Sequence, residues 1–204
     1  MPKKFLPKLL VSFAGFCSLL AVPVFVWGLG EDPTPLTEAS FTLSSDPTDA
    51  ILSIRSTGGL RGTVSEMNLY GDGRLVLSRE QHGNFLGEWV RELNFEEMRR
   101  LVRIATDHGL AEWRPEKQEI RQRELAGGQP LPRLIDGSRV EVRLALKSYE
   151  RGTIRLEPVI SHISFNTPSF LVQKFPGYQE LQGVRQLSKE MYDWIREINS
   201  GEKP

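Results

Sequence analysis

The sequence predicts an α+β domain in which an antiparallel sheet carries helices on one face, preceded by an N-terminal hydrophobic helix. Three observations lead to this prediction. Segments with a two-residue apolar period open the domain, segments with a helical period follow them, and a long uncharged run begins the chain. Strands, then a helix, a hairpin and a last helix are the order expected when helices lie on one face of an antiparallel sheet.

Three strands and a hairpin are predicted in the first half of the domain. The strands are residues 51–57, 62–70 and 74–79. Gly71-Asp72-Gly73 joins the second strand to the third, and an Asp-Gly pair between apolar runs is a strong hairpin signal because both residues accept a positive φ. A glycine-rich loop is predicted over residues 83–87, followed by a fourth strand at residues 88–93.

A capped helix follows these strands. Asn94 is a favourable N-cap, and Glu96 and Glu97 complement the helix dipole in the first turn. Gly109 supplies the left-handed residue that ends the helix. Residues 115–126 carry charges on nearly every side, a pattern that fits an exposed helix as well as an irregular loop.

A strand pair and a last helix are predicted in the second half. Residues 139–146 alternate apolar with charged side chains, as in a half-buried strand. A turn leads into residues 153–165, where the apolar phase slips at Pro158, and a bulge or an edge position would explain the slip. Residues 178–199 form an amphipathic pattern with Leu187 on its apolar stripe, which predicts a helix.

The apolar run at residues 9–30 predicts a segment that crosses a membrane. As a helix it is about 33 Å long, enough for a hydrocarbon layer of about 30 Å. Three lysines precede the run and the first acids follow it, which predicts a cytoplasmic N-terminus and a domain on the other side. Gly28 and Gly30 offer small residues for cleavage before Glu31, so an uncleaved anchor and a removed signal peptide both remain open.

These patterns divide the chain into an anchor or signal segment at residues 1–30, a linker at residues 31–49 and a domain at residues 50–200. The linker is rich in Pro, Ser, Thr and Asp. Without the first thirty residues the chain has a net charge of −3, so no basic surface for nucleic acid is predicted. Cys17 is the only cysteine and lies inside the apolar run, which excludes an intramolecular disulfide.

The sequence shows no constellation typical of catalysis, metal binding or cofactor binding. His82, His108 and His162 do not occur at metal-ligand spacing, so no metal site is predicted. No Gly-x-Ser-x-Gly elbow occurs, and the lone cysteine lies in the apolar run, so no nucleophile and no catalytic residue are predicted. Gly71-Asp72-Gly73-Arg74 lacks the Lys-Ser/Thr ending of a phosphate loop and joins two predicted strands, so no cofactor is expected.

One loop is a candidate contact for a protein partner. It consists of Gly58, Gly59, Leu60, Arg61 and Gly62, which place three glycines between two predicted strands. Because glycine has no Cβ, such a loop lets a partner's backbone approach closely. A tight connection between the strands is the alternative.

The sequence resembles the emfourin group, small bacterial proteins associated with protealysin and other thermolysin-type metalloproteases as inhibitors. The resemblance lies in the strand and Gly-Gly-x-x-Gly opening at residues 53–62, the helix and Gly-aromatic step at residues 93–113, and the strand at residues 139–146. It implies a β-rich domain that binds a protein surface and performs no reaction. It also implies that the partner is a protease, for instance an exported one.

Three functional hypotheses follow from the sequence. The first is a non-enzymatic binding module, tethered through residues 9–30 or secreted after cleavage near Gly30, with its domain in the periplasm or outside the cell. The second is a scaffold subunit of a membrane complex. The third is a hydrolase that uses His162 with scattered acidic residues.

Overall fold

Two antiparallel sheets and three helices make up the part of the chain that the structure describes. The structure is a computed structural model, and it describes residues 38–58, 62–114, 116, 137–166 and 168–201. The strands are β1 (Ser40–Thr42), β2 (Ala50–Gly58), β3 (Thr63–Tyr70), β4 (Arg74–Gln81), β5 (Asn84–Glu92), β6 (Arg139–Leu146), β7 (Ser148–Arg151), β8 (Ile154–Leu156) and β9 (Val159–Asn166). The helices are α1 (Phe95–Asp107), α2 (Pro168–Lys174) and α3 (Gln179–Ser200), with a 3-10 turn at Leu110–Glu112.

The larger sheet has six strands in the order β5-β4-β3-β2-β6-β9, and the smaller has three in the order β1-β7-β8. Every neighbouring pair in both sheets is antiparallel. The predicted α+β class and antiparallel pairing are therefore confirmed. Strands β5 and β9 form the two edges of the larger sheet.

One face of the larger sheet is buried, and the helices supply its cover. In the register of the central strands, Ile54 of β2 lies between Met67 of β3 and Val142 of β6, and all three side chains are buried. Val102 of α1 and Leu187 of α3 belong to the same apolar cluster and are 0% exposed. Strand residues one position away point to the other face, which we call the open face.

The sequence signals of α1 act as predicted. The side chain of Asn94 accepts a hydrogen bond of 3.0 Å from the backbone N–H of Glu97, and the Glu97 carboxylate accepts one of 2.8 Å from the backbone N–H of Asn94. This reciprocal capping box satisfies two N–H groups that a helix start otherwise leaves free. At the other end, His108 follows the helix and Gly109 takes a left-handed φ of +76°.

The domain begins earlier than the sequence predicts. Residues 38–49, predicted as part of a linker, include strand β1, which pairs with β7 and places Phe41 opposite Tyr149. Ala39 is buried, and the Ser44 hydroxyl donates a hydrogen bond of 2.6 Å to Asp49. The linker prediction is wrong for these residues, because a three-residue strand is too short to show an alternating pattern.

Two predicted connections also differ from the structure. The expected loop at residues 83–87 is mostly strand, since β5 begins at Asn84 directly after a turn at His82 and Gly83. The phase slip at Pro158 marks a change of sheet, because β8 belongs to the smaller sheet and β9 to the larger. Residues 115–126, apart from Glu116, and the predicted N-terminal helix lie outside the described residues. Within the described ranges, no helix is long and apolar enough to cross a membrane.

We expect Leu187→Asp to unfold the domain. Leu187 is fully buried, and an unpaired buried charge costs several kcal/mol against a total stability of roughly 5–15 kcal/mol. Gln186→Asp is the matched control, because residue 186 is exposed on the same helix and the substitution carries a similar loss of helix propensity. Thermal unfolding followed by circular dichroism measures both variants. Equal melting temperatures would contradict the packing described for α3.

Candidate functional site

The predicted contact loop between β2 and β3 is described only at its two ends. Gly58 has a φ of +106° and Gly62 a φ of +53°. A Cβ on Gly58 would lie 3.0 Å from the carbonyl oxygen of Gly137, and one on Gly62 would lie 3.1 Å from the His82 ring. Turn geometry and close packing therefore account for both glycines. The other three predicted contact residues lie outside the described residues: Gly59, Leu60 and Arg61. Partner contact through this loop stays a prediction.

The three histidines lie apart from one another. His82 occupies the turn between β4 and β5, and the His108 ring forms a 2.8 Å hydrogen bond with the carbonyl of Ile104 at the end of α1. His162 lies on the open face, with a half-exposed side chain whose Nε2 is 3.9 Å from a carboxylate oxygen of Glu141. In the ranges given above, no three His, Cys, Asp or Glu side chains are grouped to hold a metal ion. His162 is therefore a surface residue beside a carboxylate.

The open face carries one ion pair between neighbouring strands and one within a strand. Arg55 lies 3.9 Å from Glu66, and Arg139 lies 2.9 Å from Glu141. Both arginine side chains are at least half exposed, and exposed pairs of this kind contribute about 0–1 kcal/mol each. These pairs therefore keep the open face soluble, and the Arg55–Glu66 pair also links β2 to β3.

A buried polar cluster joins the smaller sheet to the 3-10 turn. The Tyr149 hydroxyl donates a 2.7 Å hydrogen bond to the Glu112 carboxylate, and Arg151 Nη1 lies 3.3 Å from the same oxygen. Arg151 also donates to the backbone carbonyl of Thr106. Tyr149 is fully buried, and burial together with the bond to Glu112 raises the pKa of its hydroxyl. Because the Tyr149 hydroxyl and the Arg151 guanidinium both bind the Glu112 carboxylate, we interpret the cluster as a structural link.

A small cavity opens between α1, α3 and the β5 edge. Its volume is about 120 Å³, well below the roughly 300–1,000 Å³ of pockets that hold drug-sized ligands and cofactors. Buried Leu101 and Trp194 form part of its floor, and Arg91 of β5 lies at its rim. Arg100 donates two 3.0 Å hydrogen bonds across it to the carboxylate of Glu190. The cavity accommodates at most the end of a side chain.

The edge strand β5 is the most exposed element of the larger sheet. None of its nine residues is buried, whereas every other strand of this sheet buries at least two residues. Phe85 is 64% exposed, Leu86 47% and Val90 54%. The outward edge of such a strand carries backbone N–H and C=O groups that no strand in the described part of the chain pairs.

The bulge in β5 divides this edge into two parts. Arg79 of β4 lies opposite Gly87, whereas the next residue, Glu80, lies opposite Phe85, so Leu86 is the extra residue. Beyond the bulge, residues 87–92 pair in regular register with β4. The regular part of the edge is therefore six residues long, within the usual length of a strand.

The sequence did not identify β5 as a candidate site. The glycines at 83 and 87 indicated a loop, and the apolar and aromatic residues between and after them were the opposing signal. Phe85, Trp89 and Val90 are types enriched in strands. Gly87 lies at the bulge with a φ of +155°, which explains a glycine inside a strand.

No known family model matches the chain, and no curated protein matches it. Function is therefore inferred from the geometry of the described surfaces. Of these, the β5 edge combines unpaired backbone groups with exposed apolar side chains, which is the combination that extended peptides recognise.

We expect Tyr149→Phe to weaken the dependence of stability on alkaline pH. The pKa of Tyr149 in the folded protein is raised above its ordinary value of 10.0. Its contribution to the free energy of unfolding is therefore complete below pH 10 and is lost as the pH rises further. One such group changes the free energy of unfolding by at most about 1.4 kcal/mol per pH unit. Urea unfolding at pH 8 and about pH 11 measures the difference.

Tyr70→Phe is the control for this substitution, because the Tyr70 side chain is only partly buried and lies outside the cluster. At pH 8, Tyr149→Phe should cost about 1–3 kcal/mol, since Glu112 loses a donor, whereas Tyr70→Phe should cost under about 0.5 kcal/mol. An alkaline slope that is unchanged in Tyr149→Phe would show that Tyr149 does not control it.

Proposed function

We propose that this chain is a non-enzymatic binding module that holds an extended segment of a partner protein along β5. The observation that carries the proposal is an edge strand with no buried residue and three exposed large apolar side chains. Addition of a strand to a sheet edge obtains affinity from main-chain hydrogen bonds and specificity from alternate side chains. Strand β5 offers both kinds of contact.

The neighbouring structure supports this use of β5. Trp89 and Arg91 point to the helix side, as their partners Leu77 and Leu75 show, whereas Val90 lies on the open face opposite Val76. A segment beside β5 would thus have one set of side chains next to Trp89 and the cavity rim, and the other set next to Val90. Both faces of an added strand have a surface to contact.

The cellular location in this proposal is predicted from the apolar run at residues 9–30. Residues 9–30 tether the chain to a membrane with its N-terminus in the cytoplasm, and the domain lies in the periplasm or outside the cell. Cleavage near Gly30 would release the same domain as a secreted form. The resemblance to the emfourin group makes an exported thermolysin-like protease the first partner to test.

Substitution at Val90 tests the proposal in the full-length, detergent-solubilised protein. We expect Val90→Lys to abolish capture of the partner in an affinity pull-down, because a lysine on an edge strand opposes strand addition. The fold should persist, since Val90 is 54% exposed. Capture is quantified with the purified protease and by mass spectrometry of the retained proteins.

Ile160→Lys is the matched control. Ile160 is 78% exposed, lies on the open face and belongs to β9, the opposite edge of the same sheet. It should retain capture at the wild-type level. Equal capture by the two variants would overturn the assignment to β5. Capture of only the subunits of one membrane complex, in a fixed ratio, would favour the scaffold hypothesis.

A further inference from the structure

We infer that the segment bound by β5 is basic, with Lys or Arg at alternate positions on either side of one apolar residue. This inference rests on the proposed function and adds the chemistry of the partner. It follows from the side chains that β5 presents on the open face beyond its bulge, in the order Glu88, Val90 and Glu92.

These three side chains share one face because strand residues alternate. Their partners on β4 are Ser78, Val76 and Arg74. Val76 lies between Leu75 and Leu77, which are buried under the helices, so the row points away from the helices. A strand added about 4.8 Å from β5 would place its own alternate side chains directly opposite this row. Opposite-charge pairs at such positions stabilise a sheet, and like charges destabilise it.

The carboxylates of the row are available for a partner. The Glu88 carboxylate forms no ion pair or hydrogen bond with the residues that the structure describes, and neither does the Glu80 carboxylate on the adjacent strand. Glu92 lies opposite Arg74 and attracts its guanidinium, although that guanidinium donates its 2.7 Å hydrogen bond to Asp72 instead. The open face beside β5 therefore has an excess of negative charge, which complements a basic segment.

A second copy of this chain fits the edge less well. In the antiparallel register that brings the two Val90 side chains together, Glu88 of each copy lies opposite Glu92 of the other. Four carboxylates would then form two like-charged pairs across the new interface. The same arrangement turns into two opposite-charged pairs when the added strand carries Lys or Arg at those positions.

The Glu88, Val90 and Glu92 row reads the same in both chain directions. The expected pattern of the bound segment, basic, apolar, basic at alternate positions, is therefore independent of whether the segment runs parallel or antiparallel to β5. The residues between them face Trp89 and Arg91, and neutral residues there avoid a second charge contribution.

The test uses two fluorescein-labelled heptapeptides and the full-length protein in detergent. The first peptide is Thr-Lys-Thr-Val-Thr-Lys-Thr, and the second has Glu in place of both Lys residues. Fluorescence anisotropy measures the two dissociation constants. We expect the basic peptide to bind about tenfold more tightly, the effect of two cross-strand charge pairs, and expect the preference to shrink when NaCl is raised to about 0.5 M.

Charge reversal on the protein provides the decisive comparison. Glu88→Lys combined with Glu92→Lys should reverse the preference in favour of the acidic peptide. Glu116→Lys combined with Glu157→Lys changes the net charge equally at exposed positions outside β5, and should keep the wild-type preference. Both double variants should have the melting temperature of the wild-type protein, because all four residues are exposed.

The outcomes separate this inference from the proposed function. Absence of binding, absence of a preference, or a preference that survives the reversal at residues 88 and 92 would overturn the basic segment. If Val90→Lys nevertheless loses capture of the protein partner, β5 remains the binding edge and only the charge pattern is wrong. Reversal by the control pair would show that net charge, rather than β5, selects the peptide.

Discussion

The packing of α1 and α3 on one face of the six-stranded sheet is the constraint on which the described structure depends. Leu52 and Ile54 of β2 meet Val102 of α1 and Leu187 of α3 within one apolar cluster, and all four are at most 1% exposed. Burial of each such side chain contributes about 1.5–3 kcal/mol. The alternation of the central strands follows from this burial, because a shift by one residue would bring polar side chains under the helices.

The same packing leaves the helix side of β5 only partly covered. Helix α3 starts beside β9, where Tyr178 packs on Phe165, and approaches β4 at its other end, where Arg79 lies 3.5 Å from Asn199. The helical cover is therefore centred on the strands between β9 and β4. On the helix side of β5, Trp89 and Arg91 are half-buried, whereas exposed Val90 lies on the open face. The outward edge of β5, which no strand in the described part of the chain pairs, is the structural basis of the proposed binding function.

The sequence predicts those elements whose pattern is set by the shared core. Strands β2, β3 and β6 show their alternation because one face is buried, and α1 shows its cap and stop because Asn94 and Gly109 act locally. Strand β1 has only three residues, and the first residues of β5 are all exposed, so neither shows an apolar period there, whereas the second half of β5 corresponds to the fourth strand predicted at residues 88–93. The Tyr149 cluster joins positions 37 and 39 residues apart, which local pattern does not reveal.

The candidate site follows the same division. The sequence indicates glycines at both ends of the β2–β3 loop, and the structure gives Gly58 and Gly62 a conformational reason. The β5 edge becomes evident only from strand order, because an edge is defined by the absence of a neighbour in the described sheet. The acids at positions 88 and 92 become candidate contacts only because the strand order places them on an edge strand.

Amide hydrogen exchange of the full-length protein, with and without its captured partner, tests the central claim most directly. In the free protein, the amides of β5 should exchange faster than those of central strand β3, because edge strands open at lower free energy. Binding should slow exchange within residues 87–92 and leave β9 unchanged. Protection confined to β9 or to the helices, with β5 exchanging as in the free protein, would contradict the account.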